Sequence, residues 1–73
     1  MKFRYDPDAD ALYICFKEGA VADTDEVSAG VILDLDEGGN LLGLEILDAS
    51  KKLGERPLTV EVEIPGTVKE QVL

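Results

Sequence analysis

The sequence predicts a small α+β domain, a mainly antiparallel sheet of about five strands with one short helix. Three observations predict it. Two apolar runs, residues 31–35 and 41–47, flank an acidic, glycine-rich turn, the pattern of a β-hairpin. Period-two alternation recurs on either side of that hairpin, at Phe3 and Tyr5 and again at Leu58, Val60, Val62 and Ile64, as expected of half-buried strands. Between them, residues 48–53 supply an acid, two lysines and a following glycine, the signals of a short helix.

The elements follow in chain order. Phe3 and Tyr5 alternate with Lys2, Arg4 and Asp6, giving a first short strand. Asp6-Pro7-Asp8-Ala9-Asp10 is a turn, because proline presets φ and aspartate side chains bond nearby backbone. Residues 12–17 are aromatic and β-branched, hence a second strand, with Leu12, Ile14 and Phe16 on its core face. These two strands form an amino-terminal hairpin. Residues 20–29 are acidic and weakly patterned, a loop that becomes a strand near Glu26. Around Gly38-Gly39 the central hairpin sets Leu33 opposite Leu44 and Leu35 opposite Leu42. One face then carries Val31, Leu33, Leu35, Leu42, Leu44 and Ile46. A one-residue slip would move Gly43 and Glu45 onto that face, so this register is strongly favoured. Asp48 is placed to cap the helix of residues 48–53. Lys51 and Lys52 suit its C-terminus, and Gly54 suits a left-handed stop. The strand of residues 58–64 follows Pro57, and residues 66–73 form a tail.

Seventy-three residues make a single domain, 1–73. A chain this short buries only about 60% of the surface its unfolded form exposes. The one cysteine excludes a disulfide within the chain, and the absence of histidine leaves no ordinary zinc site. Self-association is therefore the expected supplement, with a homodimer as its simplest form. The net charge of −9 disfavours direct contact with nucleic acid phosphates. It favours encounter with a basic protein. A lone Cys15 suits a reducing cytosol. No apolar run of signal-peptide or membrane-span length occurs, so a cytoplasmic protein is expected.

Few groups suggest chemistry. Asp34, Asp36, Gly39 and Glu45 approximate the spacing of a calcium loop, but Gly38 stands where a ligand oxygen belongs and the flanks read as strands. Asp34 and Asp36 lie about 7 Å apart on one strand face. Their repulsion in water is about 0.6 kcal/mol, too little to imply a function. Asp6, Asp8 and Asp10 read as turn chemistry. Cys15, with only Lys17 near it on its strand face, reads as a small apolar filler. No nucleophile–base pair and no phosphate-cradling loop is present. Catalytic residues, cofactors and metal ligands are therefore not expected.

Two segments carry a family resemblance. Residues 5–14, YDPDADALYI, and residues 30–50, with GVILDLD followed by GNLLGLEILDAS, resemble two signatures of the family catalogued as domain of unknown function 2283. The resemblance covers about residues 3–53 and leaves the carboxy-terminal strand and tail, 58–73, outside it. It implies a small cytosolic prokaryotic protein without assigned catalytic residues. It also implies, for some members, an antitoxin-like partnership with a small basic toxin.

The expected function is thus a non-catalytic, self-associating module that binds a basic protein, with Leu58, Val60, Val62 and Ile64 as the contact row. The alternative is a metal-dependent hydrolase using Asp34, Asp36 and Glu45, with Gly43 leaving space for a ligand in the floor of a cleft.

Overall fold

The computed structural model describes residues 1–54 and 59–66. Its elements are β1 (Lys2–Asp6), β2 (Ala11–Cys15), β3 (Asp23–Ser28), β4 (Val31–Leu35), β5 (Leu41–Ile46) and α1 (Ala49–Leu53). The five strands form one antiparallel sheet in the order β1-β2-β5-β4-β3. The fold is therefore mostly β, and the helix is a minor appendage.

The amino-terminal hairpin pairs Phe3 with Ile14 and Tyr5 with Leu12. The chain then crosses the end of the sheet to reach the far edge. That crossing is fastened by backbone bonds. The N–H groups of Phe16 and Lys17 both donate to the Leu42 carbonyl, and Ala22 N–H donates to Leu35. From β3 the chain returns as a meander, so that β5 comes to lie beside β2. The central hairpin β4–β5 thus occupies the middle of the sheet.

Its register holds where the apolar pattern is strongest: Val31 faces Ile46, Leu33 faces Leu44 and Asp34 faces Gly43. Next to the turn it departs from expectation, because Leu35 pairs with Leu41, not Leu42. A bulge takes up one residue of β5 there. Leu42, the extra residue, is 3% exposed. Gly19 of the crossing lies so close that a Cβ on it would come within 2.9 Å of Leu42 Cδ2. The bulge thus delivers Leu42 to the crossing chain, a long-range demand that strand alternation does not encode.

Pairing places Phe3, Tyr5, Leu12, Ile14, Leu33, Leu44 and Ile46 on one face, since directly opposed residues share a side. At β3 this face ends in acids, Asp25 opposite Leu33 and Asp23 opposite Leu35. Inward-pointing charges on an edge strand guard against sheet extension. Among the described residues only Leu12, Leu42 and Ala49 are buried apolar side chains. Among the described residues extensive contacts between elements run only between neighbouring strands, so none of the described elements forms a full second layer over the sheet.

Two expectations for the carboxy-terminal half are corrected. Asp48 does not cap α1 with its side chain: it adopts a left-handed conformation, φ 52°, and makes no capping bond. Gly54 does end the helix at φ 70°, with its N–H on the Ser50 carbonyl. The segment expected as a strand over 58–64 carries no regular structure at residues 59–65. Its alternation needs a neighbouring edge to pair with, and within the sheet each inner strand already has two partners. Leu58 and residues 67–73 lie outside the described residues.

Candidate functional site

Two polar clusters and one apolar face are the features from which function could arise.

The first cluster gathers at the β1–β2 turn. Asp10 sits at φ 51°, a conformation that aspartate tolerates better than most residues. From there it reaches forty residues along the chain. Its carbonyl accepts Ala49 N–H at 2.9 Å. Its carboxylate accepts Ser50 N–H at 3.1 Å and Ser50 Oγ–H at 2.7 Å. Tyr5 Oη donates to the same carboxylate at 2.7 Å. Asp10 therefore caps α1 from a distant turn, the role expected of Asp48. The turn itself is wound by Asp6, whose Oδ1 accepts the N–H groups of Asp8 and Ala9. In the sequence the only trace of this bond is Ser50, two residues past the expected helix start at Asp48.

The second cluster lies on the face opposite the apolar one. Tyr13 stands on β2 opposite Glu45 of β5, and Asp34 of β4 stands opposite Gly43. The Tyr13 ring crosses over Gly43, and its hydroxyl donates to Asp34 Oδ2 at 3.0 Å. A Cβ on Gly43 would stand 2.8 Å from Tyr13 Cζ and 3.0 Å from the Ile14 carbonyl oxygen. The space expected above Gly43 for a ligand is thus occupied by the protein's own tyrosine. Partial burial, then the hydrogen bond and charge of Asp34, raise the Tyr13 pKa above its ordinary value of 10. The signal was legible in part, since the predicted register already set Gly43 beside Asp34.

The remaining acids are committed locally. Asp36 winds the hairpin turn: its Oδ1 accepts Gly38 N–H at 2.9 Å, Asn40 N–H at 2.8 Å and Asn40 Nδ2–H at 3.1 Å. Donation from the Asn40 backbone, then from its side chain, lowers the Asp36 pKa. Asp34, Asp36 and Glu45 are not brought together. Among the described residues no three Asp, Glu or Cys side chains could hold a metal ion. Cys15 is half-buried in a shallow depression of about 90 Å³ lined by Met1, Lys2, Phe16, Lys17 and Glu18. Its Sγ lies 3.6 Å from the Lys17 carbonyl.

The apolar face is the largest unsatisfied feature. Phe3 and Tyr5 are 42% and 45% exposed, while Ile14, Leu33, Leu44 and Ile46 are only half-buried. Within the expected contact row Val60, Val62 and Ile64 are 53%, 66% and 46% exposed. No helix among the described residues is long and apolar enough to cross a membrane.

The bonds of the first cluster join the two sequence signatures: Tyr5 and Asp10 belong to one, Ser50 to the other. No curated protein and no solved structure matches the chain. The family model described as "Protein of unknown function (DUF2283)" matches residues 2–50, a span that begins with β1 and ends at Ser50, and the chain belongs to that family.

Proposed function

We propose that the protein is a non-catalytic binding module that acts by associating with itself and with a basic protein in a reducing cytosol. One observation carries the reading: among the described residues, the apolar face of the five-stranded sheet has no full second layer. Apolar surface of this extent is stabilised by covering it. The polar groups point the same way. Asp10, Asp34 and Asp36 hold the turns, the helix and the sheet together, and spending them on a substrate would loosen the fold. The charge of −9 speeds encounter with a cationic partner, and a small basic toxin is the partner class implied by the family resemblance. Leu58, Val60, Val62 and Ile64 form the contact row of this reading, an alternating segment suited to adding a strand at a sheet edge. A carboxylate-based hydrolase has no comparable support, because Tyr13 fills the space above Gly43.

Native mass spectrometry of protein purified from its own cells tests the reading. The expected result is a mass above that of one chain, from a second copy, a basic protein or both. Recovery of the single chain alone, at every concentration tried, would overturn it.

A further inference from the structure

We propose that β1 is the self-association edge: residues 59–64 of a second copy add to it as a sixth, antiparallel strand, and each copy of a two-fold dimer both gives and receives that strand. This rests on the self-associating reading above and fixes the edge, the occupant and the register.

The sheet ends in two strands, and only one of them is guarded. Among the described residues β1 is bordered by β2 alone and β3 by β4 alone. An edge strand points backbone N–H and C=O groups outward, a template for another strand. β3 carries a bulge between Glu26 and Ser28 and acids on both faces, with Asp23 and Asp25 on the side of Leu33 and Glu26 on the other. Bulges and inward-pointing acids both oppose extension. β1 has neither device. Its pairing with β2 runs without a break from Lys2 to Asp6, and its one acid stands at the turn end.

The chain carries a segment that matches this edge on both faces. In β1, Phe3 lies on the apolar face, paired with Ile14, whereas Lys2 and Arg4 lie on the polar face, paired with Cys15 and Tyr13. Both bases are exposed, and Lys2 Nζ meets Glu18 only at 3.9 Å. Residues 59–64, TVEVEI, alternate likewise when extended, with Val60, Val62 and Ile64 on one side and Glu61 and Glu63 on the other. Antiparallel pairing of Glu61 to Arg4 and Glu63 to Lys2 sets Val62 beside Phe3 and Ile64 beside Met1. Opposed residues share a face, so the apolar row widens the apolar face while both acids meet both bases on the polar one. Neighbouring registers lose this match. A two-residue slip one way leaves Glu63 beyond the end of β1, and the other way sets Glu61 on Asp6. A one-residue slip turns the glutamates onto the apolar face. Parallel pairing is weaker per residue and brings Pro65, which has no N–H, opposite Asp6. On the β3 edge the same segment would set its valines beside Asp23 and Asp25 and its glutamates on the face of Glu26.

The donor is a second copy because the chain does not fill its own edge. Residues 59–65 carry no regular structure and residues 59–66 are exposed. Among the described residues no backbone bond joins them to β1. Each copy thus holds an alternating segment and an edge that fits it. A two-fold axis satisfies both at once and closes the assembly with two identical junctions.

Sedimentation equilibrium of the whole chain is expected to give a dimer. A monomer at millimolar concentration overturns the self-associating reading and the inference together. Two charge-reversed chains then test the edge. One carries Lys2→Glu and Arg4→Glu, the other Glu61→Lys and Glu63→Arg. Each alone sets like charges at both junctions and should dimerise about tenfold more weakly than the unaltered chain. Mixed in equal amounts they pair acid with base at both junctions, at the total charge of two unaltered chains. They should regain the unaltered affinity as a mixed dimer, identified by its mass. Variants that dimerise like the unaltered chain, or a mixture no tighter than either variant alone, overturn the inference and leave self-association standing. A segment that pairs with β1 of its own chain gives the second of these results, since mixing cannot repair it. Glu61→Pro plus Val62→Pro should abolish the dimer. Successive strand residues aim their N–H groups to opposite sides, so one of the two prolines removes a donor facing β1. The circular dichroism of the sheet should persist in that variant, because the altered residues lie outside the strands. A dimer that survives both prolines also overturns the inference. Amide exchange of the unaltered chain should slow in β1 on association and stay unchanged in β3; the reverse places the contact at the wrong edge.

Discussion

Single residues in this protein act by reaching across the fold. Tyr13, Gly43 and Asp34 come from three adjacent strands, and each explains the others. The ring can reach Asp34 only because position 43 has no side chain. Gly43→Ala should therefore cost about 1–3 kcal/mol, the range for forcing extra atoms into a filled space. Urea unfolding of the single and double variants measures it. In a Tyr13→Ala background the same substitution should cost less, though not nothing, because the Ile14 carbonyl also stands close. Tyr13 also sets an alkaline limit. Its folded pKa lies above 10, so its contribution is present in full below pH 10 and is lost as pH rises through the folded value. Tyr13→Phe should remove that alkaline component and cost about 1 kcal/mol at neutral pH from the lost hydrogen bond. Asp10 and Asp48 make a contrasting pair. Both are left-handed, but only Asp10 uses the conformation to hold something. Asp10→Ala should cost about 1–2 kcal/mol for the lost cap alone. Asp48→Gly should raise stability by about 0.5–1 kcal/mol, since it relieves a strained φ and breaks no side-chain capping bond. Thermal unfolding of the two variants should therefore shift in opposite directions.

The central hairpin shows how local chemistry and long-range demand divide the control of one element. Asp36 gathers the turn through Gly38 and Asn40. Because its folded pKa is lowered, its stabilisation is present above the unfolded value near 3.9 and is lost as pH falls through the folded one. Asp36→Ala should flatten the acid side of the stability–pH profile, whereas Asp36→Asn should keep part of the turn, since an amide oxygen still accepts. Denaturation midpoints between pH 2 and 6 check this. The parts of this element readable from sequence are those that local spacing encodes: the turn residues, the shared face of Leu33 and Leu44, and Gly43 beside Asp34. The bulge at Leu42 was not readable, because its cause is the Gly19 segment more than twenty residues away. The same holds at α1. Lys51, Lys52 and Gly54 announced the helix end through neighbours, but its start is capped by Asp10 from another turn, and helix-start rules read only adjacent residues. Residues 59–64 fail for a related reason. Period-two alternation states that a strand would have one buried face, but it does not say which edge, or which chain, receives that strand.

For the whole molecule, folding and association are coupled if copies meet by exchanging strands at β1. A 73-residue chain with three buried apolar side chains among its described residues draws little stability from its own interior, since a single core of this size supplies roughly 3–5 kcal/mol. Pairing of β1 with a second copy adds to the folded state alone, because an unfolded chain presents no ordered edge to bind. Unfolding then becomes concentration-dependent by mass action. Raising the protein concentration by about a hundredfold stabilises each folded chain by roughly 1.4 kcal/mol, half of RT ln 100. Unfolding entropy for this length is about 0.15 kcal/mol/K, so the thermal midpoint should rise by about 9 °C over that interval. Glu61→Pro plus Val62→Pro should show a midpoint that no longer moves with concentration. It should also lie below that of the unaltered protein at high concentration and approach it on dilution. Scanning calorimetry at about 10 µM and about 1 mM separates the two behaviours. A constant midpoint for the unaltered chain would mean that the sheet is stable without a strand added at β1, and the association argued from that edge would lose its physical basis.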